Sequence, residues 1–225
     1  MAGLARWSVL ILAAGQGRRL GHVAKGLIRL DGQTLVKRMA QAVSPLSPVQ
    51  VLLVTGRDHD RYATEVSTWP AAMQPDLLRN PDPADDPAQS LHLGLARLAP
   101  GADAVMVLLS DLPLLTADDI KMATQAFAAR EADVELVLPV VRGTPGHPVM
   151  FSRALACHLL SNPDVTLRQW RTEHPAQTGF WRTENDNHIR DIDRQEDLEG
   201  LRVATGSTVE LPGAGVLDDP KPACP

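Results

Sequence analysis

Between Ala14 and Leu30 the chain carries Arg18, Arg19, Lys25 and Arg29, a histidine at position 22, and no acidic residue. Gly15, Gly17 and Gly21 are threaded among these cations. Backbone without Cβ turns tightly and can approach a ligand closely. Exposed N–H groups and cations held in one loop suit a polyphosphate. The second residue with evident chemistry is Asp111, in Ser110-Asp111-Leu112-Pro113. Its carboxylate is the kind of hard oxygen ligand that Mg²⁺ takes, usually one or two per site together with substrate phosphates. Each feature alone has a plain alternative, an ordinary strand-to-helix turn with surface arginines or a turn aspartate. Their joint presence favours a site that binds triphosphate and metal.

These groups need rigid supports. Val9 to Ala13 is a short apolar run with the length and β-branching of a buried parallel strand, ending at the glycine loop. Ala104 to Leu109 is a similar run that ends at Asp111. A carboxylate at the C-terminal end of a parallel strand faces the crevice where α/β proteins bind ligands. Further strands are expected over Val49 to Val54 and Val134 to Val141. Helices are expected over Gln33 to Val43, Asp58 to Thr68, from Ser90 onward, and over Thr116 to Ala128 with Thr116 as the cap. The prolines from Pro70 to Pro87 argue against regular structure there. Gly143 to Phe151 reads as a turn-rich excursion, followed by helices at Ser152 to Leu160, Val165 to Arg171 and Arg194 to Leu201, with Ile189 closing a strand. Alternating strands and helices indicate an α/β fold with a mainly parallel sheet. Residues after Ala204 show no useful period, so residues 1–204 are taken as the domain and 205–225 as a flexible or peripherally docked tail, dispensable for folding.

Two familiar phosphate loops do not fit. A Walker loop requires Gly-Lys-Ser/Thr, whereas Lys25 precedes Gly26 and no hydroxyl follows. A dinucleotide fingerprint places its third glycine three residues after the second, but Gly21 lies four after Gly17. The loop instead resembles the signature Leu-Ala-Ala/Gly-Gly-x-Gly-x-Arg-x-Gly, followed by lysine, of the nucleotidyltransferases related to molybdenum cofactor biosynthesis. Leu12, Gly15, Gly17, Arg19, Gly21 and Lys25 fall on it. Asp111 matches that family's Asp-x-Pro element, whose aspartate binds magnesium. Asn80-Pro81 and Ser90-Leu91-x-x-Gly94-Leu95 resemble its base-recognition segment, with Asp85-Asp86-Pro87-Ala88-Gln89 replacing the small residues usual between them.

Gly146-His147-Pro148-Val149-Met150-Phe151 resembles the Gly-x-Pro-Val-x-Phe segment of the cytidylyl-transferring branch, near the acceptor. A turn before a buried strand explains all of it except His147. Asp191-Ile192-Asp193, leading to Glu196-Asp197-Leu198, resembles the ending of the same branch. Alternation on a strand would put Asp191 and Asp193 on one face, where either could complete a metal site with Asp111, or where both could be a solvated strand end.

The resemblance implies a single Rossmann-like three-layer domain of the nucleotide-diphospho-sugar transferase type. It implies Mg²⁺-dependent transfer of a nucleotide from a nucleoside triphosphate to a small phosphorylated acceptor such as molybdopterin cofactor. Arg19, Lys25 and Asp111 would then be catalytic. Leu12, Ala13, Ala14, Gly15, Gly17, Arg19, Lys25, Asn80 and Ser90 would bind nucleotide, His147 the acceptor, and Asp111, Asp191 and Asp193 the metal. Ala14, where guanylyl-transferring relatives usually have glycine, favours CTP. A molybdoenzyme or its chaperone is the implied protein partner. A sugar-phosphate or other small-molecule phosphate nucleotidyltransferase shares the same loop and metal logic, and a non-catalytic nucleotide-binding module is the further alternative.

Composition sets the bounds. The 225 residues suffice for one domain with a sizeable core. A net charge of −5 argues against general nucleic-acid affinity, so the basic cluster is local and fits a small anion. No apolar stretch reaches spanning length, which argues against a membrane partner. No signal peptide is read, and Cys157 and Cys224 lack metal or redox spacing, so a reduced cytoplasm is expected. Cys157 is expected to be inert core, and Trp170 and Trp181 to pack in the scaffold.

Overall fold

The computed structural model describes residues 6–81 and 87–213. The strand before the glycine loop, β1 (Trp7–Ala13), is buried along its whole length. After the loop come a short antiparallel pair, β2 (Arg29–Leu30) and β3 (Gln33–Thr34), and helix α1 (Leu35–Val43), capped by the Thr34 hydroxyl. Strand β4 (Gln50–Thr55), helix α2 (His59–Ser67), strand β5 (Asp76–Arg79) and helix α3 (Pro87–Leu95) follow. Strand β6 (Ala104–Leu109) leads to Asp111, and helix α4 (Ala117–Ala128) starts at the expected cap, Thr116. The rest comprises β7 (Leu136–Val141), β8 (Thr144–Pro145), β9 (Val149–Ser152), α5 (Arg153–Ser161), α6 (Leu167–Glu173), β10 (Thr178–Thr183), α7 (Gln195–Thr205) and β11 (Val209–Glu210).

The main sheet runs β10-β7-β9-β6-β1-β4-β5, with β8 added on β7. Neighbours in β1, β4, β5 and β6 are parallel, as are β7 and β10; β9 is antiparallel to both β6 and β7. The sheet is therefore mixed but mainly parallel. Its alternating side chains feed two separate cores, as a period of two dictates. Val9, Ile11, Met106 and Leu108 pack against α1, α2 and α4 on one side. Leu10, Leu12, Val105 and Val107 pack against α3, α5 and Trp170 on the other. Full burial of each such side chain stabilises by about 1.5–3 kcal/mol. The result is one three-layer, Rossmann-like α/β domain. Gly94 explains how α3 lies so close to the sheet: a Cβ there would sit 3.0 Å from a Leu10 methyl.

A third, smaller cluster lies at the strand ends. Leu20, Ile28, Leu30, Leu35, Ile192, Leu198, Leu201 and Val209 pack together there. Strand β11 pairs antiparallel with β2, and Val209 is 2% exposed. Residues 205–213 thus reach into a core, while residues 214–225, including Cys224, lie outside the described residues.

Several local expectations need correction. Pro70 to Pro87 does contain a strand, β5, because Pro70, Pro75 and Pro81 flank it and its outer side is a sheet edge where no ladder partner is needed. The Gly143 to Phe151 excursion contributes β9 to the sheet interior. Ile189 closes no strand: it follows a single 3₁₀ turn, and Asp191 to Asp193 are irregular chain outside any strand. Cys157 is exposed, since it sits on the outer side of α5 while Leu155, Ala156 and Leu159 face in. Trp170 is buried in the second core and stacks on His174, whereas Trp181 is only partly covered and meets His188 edge-on.

Candidate active site

Strand order decides where the crevice forms. From β1 the chain steps outward to β4 and β5, then returns to β6 on the other flank of β1. The loops after β1 and β6 therefore diverge at a topological switch point, the usual ligand crevice of open α/β sheets. Gly17 shapes the first loop. Its φ of +55° is left-handed, its carbonyl accepts the N–H groups of Leu20 and His22 at 2.9 Å, and a Cβ would lie 2.0 Å from the Val23 carbonyl oxygen. No side chain fits there. Gly21, φ +72°, ends the short turn that carries Arg18 and Arg19, and a second turn carries Lys25.

Asp111 is brought to this loop because Ser110 N–H continues the sheet by donating to Leu12 O at 3.1 Å. The segment Asp191 to Asp193 docks on it from far along the chain, with Ile192 buried and its N–H donating to the Asp111 carbonyl at 3.0 Å. Burial of Ile192 turns its neighbours Asp191 and Asp193 toward the crevice. One carboxylate oxygen from each of Asp111, Asp191 and Asp193 lies within 4.8 Å of the others. Alternation did bring the two aspartates together, but on a docked loop. Lys25 Nζ donates to Asp111 Oδ2 at 2.9 Å and also to Asp193 Oδ1; Arg19 donates to Asp193 Oδ2 at 2.8 Å.

The charges act on one another. Burial alone would lower the Lys25 pKa, but the Asp111 charge and hydrogen bonds to Asp193 and Asp111 raise it. The Lys25 hydrogen bond holds the Asp193 carboxyl below its ordinary range. Asp191 moves the other way: desolvation, then the Asp111 and Asp193 charges, raise it. Asp111 Oδ1 is buried with no hydrogen-bond partner among the described residues. Three hard carboxylates, one with an unpartnered buried oxygen, fit a divalent cation such as Mg²⁺ or Mn²⁺.

Most of the expected residues line one cavity of about 430 Å³. Leu12, Ala13, Ala14, Gly15, Gly17, Arg19, Lys25, Ser90, Asp111 and Asp193 all border it. Asn80 stands behind this wall, 1% exposed, donating to the Ser90 hydroxyl at 3.0 Å. His147 is elsewhere: it borders a second cavity of about 590 Å³ that shares Leu12, Pro87 and Leu109 with the first.

Sequence reasoning missed the groups that hold the loops in place. The buried Tyr62 hydroxyl, from α2, hydrogen-bonds the backbone of Gly26 and the side chain of Ser110, the neighbours of Lys25 and Asp111; burial pushes its pKa up. A Cβ on Gly26 would fall 2.7 Å from that hydroxyl. Asp119 caps α4 and also accepts from Asn185 and Asn187 at 2.7 and 3.1 Å. Next to them the buried His188 Nδ1 lies 2.7 Å from the His147 carbonyl, while His147 N–H donates to His188 O at 2.8 Å. No sequence signal marked these contacts, because each joins residues far apart in the chain.

Comparison with known proteins agrees with this geometry. Residues 9–178 match the profile of the MobA-like NTP transferase domain. Bifunctional protein GlmU of Mycobacterium avium is 29% identical over 147 residues, 62% of this chain but only 29% of that protein. The chain thus spans under a third of such relatives. A provisionally named molybdenum cofactor guanylyltransferase of Neisseria meningitidis is 27% identical over 202 residues, covering 84% of this chain and 96% of that one. Among solved structures, the homologue of Mycobacterium tuberculosis Rv0371c from Mycobacterium sp. strain JC1 superposes with a TM-score of 0.71 at 23% identity, covering 88% of this chain and 96% of that one. Rv0371c itself, in complex with manganese, gives 0.68 at 20% identity, with 88% and 97% covered. Likeness at that identity concerns the fold. With more than half of its residues matched to the family profile, the chain belongs to the MobA-like NTP transferase domain family.

Proposed function

We propose that the protein moves a nucleoside monophosphate from a nucleoside triphosphate, with CTP favoured, to the phosphate of a small acceptor such as molybdopterin cofactor. An acceptor phosphate oxygen forms a bond to the α-phosphorus, the bond from that phosphorus to the bridging oxygen breaks, and pyrophosphate leaves. The observation that carries this reading is the meeting of Lys25, Asp111 and Asp193 at a cavity walled by the glycine loop, with a carboxylate oxygen of Asp191 within 4.8 Å of theirs. N–H groups of the loop cradle phosphate, and Arg19 and Lys25 neutralise its charge. Asp111, Asp191 and Asp193 would hold Mg²⁺, which when bound supplies charge stabilisation to the triphosphate. In this reading Ser90, held from behind by Asn80, recognises the base, and His147 in the adjoining cavity recognises the acceptor. A phosphate nucleophile is already ionised near neutral pH, so alignment does most of the work and no general base is required. Ala14 and the Gly146 to Phe151 segment support CTP; the likeness to a named guanylyltransferase makes GTP the competitor to test. A cytoplasmic location and a molybdoenzyme or chaperone partner go with this reading.

The test is pyrophosphate release from four nucleotides against metal-free and molybdenum-loaded molybdopterin, with sugar phosphates alongside. Asp111→Asn keeps the size and loses the charge, so transfer should fall about a hundredfold, roughly 2.7 kcal/mol of transition-state stabilisation, with little change in melting temperature. Wild-type turnover by the Asn variant at limiting magnesium would remove Asp111 from the site. Nucleotide binding without release of pyrophosphate from any acceptor would make the protein a binding module.

A further inference from the structure

The second cavity carries information about the acceptor that the first does not. Its walls include Leu91, Leu136 and Leu138, side chains that reward contact with an apolar body. Arg168 and Arg171, one turn apart on α6, border it from one side, and neither makes an ion pair among the described residues. His147 supplies a third kind of contact. Its ring hydrogen-bonds the Val107 carbonyl, while Nδ1 is buried and has no partner among the described residues. A nitrogen facing a carbonyl must carry the proton, so Nδ1 of the neutral ring holds the lone pair. Burial lowers the pKa of this histidine, which keeps the ring neutral. An unmet buried acceptor is costly unless a ligand brings a donor to it.

We infer that the second cavity is a subsite for an acceptor whose body is an apolar ring system with a hydrogen-bond donor toward His147 and, besides the attacking phosphate, a second anionic group toward Arg168 and Arg171. The inference rests on the transferase reading for the name acceptor, but the recognition chemistry stands on the cavity itself. Simple sugar phosphates, polar throughout, would leave the leucine wall and His147 unmatched.

Calorimetry with synthetic probes tests it on the full chain: 2-(indol-3-yl)ethyl phosphate, the same compound with a carboxylate on the benzo ring, its N-methyl form, and glucose 1-phosphate. The carboxylated indole is expected to bind at least tenfold more tightly than the plain one, and N-methylation to weaken binding severalfold. In Arg168→Gln/Arg171→Gln the carboxylate advantage should vanish while the plain indole binds as before. Failure of both indoles to bind, glucose 1-phosphate binding as tightly, or a carboxylate advantage that survives the double substitution overturns the proposal. Magnesium-dependent CTP and GTP binding is titrated separately. Loss of that binding with probe selectivity intact would sink the transferase reading and leave the subsite standing.

Discussion

Replacing Lys25 with Met should pull two properties of the site in opposite directions. Lys25 Nζ lies 2.9 Å from Asp111 Oδ2 and also bonds Asp193, its side chain 15% exposed. At an effective dielectric near 20, a unit charge pair at that separation is worth about 6 kcal/mol before desolvation is counted. Burial cancels much of this, and a charge-assisted hydrogen bond typically nets about 1.5–3 kcal/mol. Methionine retains the apolar stem and removes the charge, leaving Asp111, Asp191 and Asp193 facing each other. The metal-free variant should therefore be less stable by about 1.5–3 kcal/mol at neutral pH. A divalent cation entering wild-type protein must compete with Lys25 for two carboxylates; in the variant it does not. Magnesium or manganese affinity without nucleotide should rise about tenfold, a change of roughly 1.4 kcal/mol. Transfer should nonetheless fall, because the triphosphate loses a cation. Calorimetric titration of EDTA-treated protein with MnCl₂, thermal melts with and without metal, and pyrophosphate release measure the three quantities. Weaker metal binding in the variant, or transfer at the wild-type rate, would refute the assignment of Lys25 to both carboxylates and phosphate.

Other outcomes follow from neighbouring contacts. Tyr62→Phe keeps the packing of α2 but leaves the Gly26 and Ser110 groups without their shared hydroxyl, so it should cost about 1–3 kcal/mol and raise the magnesium concentration needed for half-maximal transfer; an unchanged magnesium dependence would limit Tyr62 to packing. Truncation after Thr205 removes buried Val209 and the partner of β2, and is expected to lower stability by about 2–4 kcal/mol in denaturant melts, with no change in midpoint counting against a docked β11. Metal-free Asp191→Asn should be more stable than wild type near neutrality. Asp191 has a folded pKa raised above its ordinary 3.8, so its favourable protonated state is present below that value and is lost as pH rises through the higher folded pKa. The advantage of the Asn form must therefore disappear on acidification; a constant difference in melting temperature between pH 3 and 8 would contradict it.

The parts of the site legible in the sequence were those encoded within one short stretch. The Val9 to Lys25 segment announces itself because strand, glycines and cations are contiguous, and Asp111 because it ends an apolar run. Residues paired across the chain were not legible by periodicity. Tyr62 reads as one face residue of a polar helix, and only tertiary packing shows its hydroxyl reaching Gly26 and Ser110. Thr116 reads as the cap of α4 and is one, but nothing in the sequence shows that Asp119, which completes its capping box, gives its other oxygen to Asn185. The four-residue edge strand β5 was hidden by its flanking prolines, and exposed Cys157 by apolar neighbours on the other side of α5. Asp191 and Asp193 were matched by motif and assigned to a strand, whereas the docking of Ile192 is what turns them inward.

That docking has a consequence for how the molecule is made. Lys25 meets Asp193 across 168 positions of sequence, and the hydrophobic cluster that seats Ile192 draws on Leu20, Ile28 and Leu30 from the beginning of the chain and Val209 from much later. The glycine loop and Asp111 can take their places as soon as β1 and β6 pair. At about 5–20 residues per second, Asp193 leaves the ribosome some seconds after Asp111 does. During that interval a nascent chain holds the phosphate cradle without two of the three carboxylates. The three-carboxylate cluster is thus assembled only when synthesis has passed Asp193, and Ile192 is fully seated only once Leu198, Leu201 and Val209 have followed.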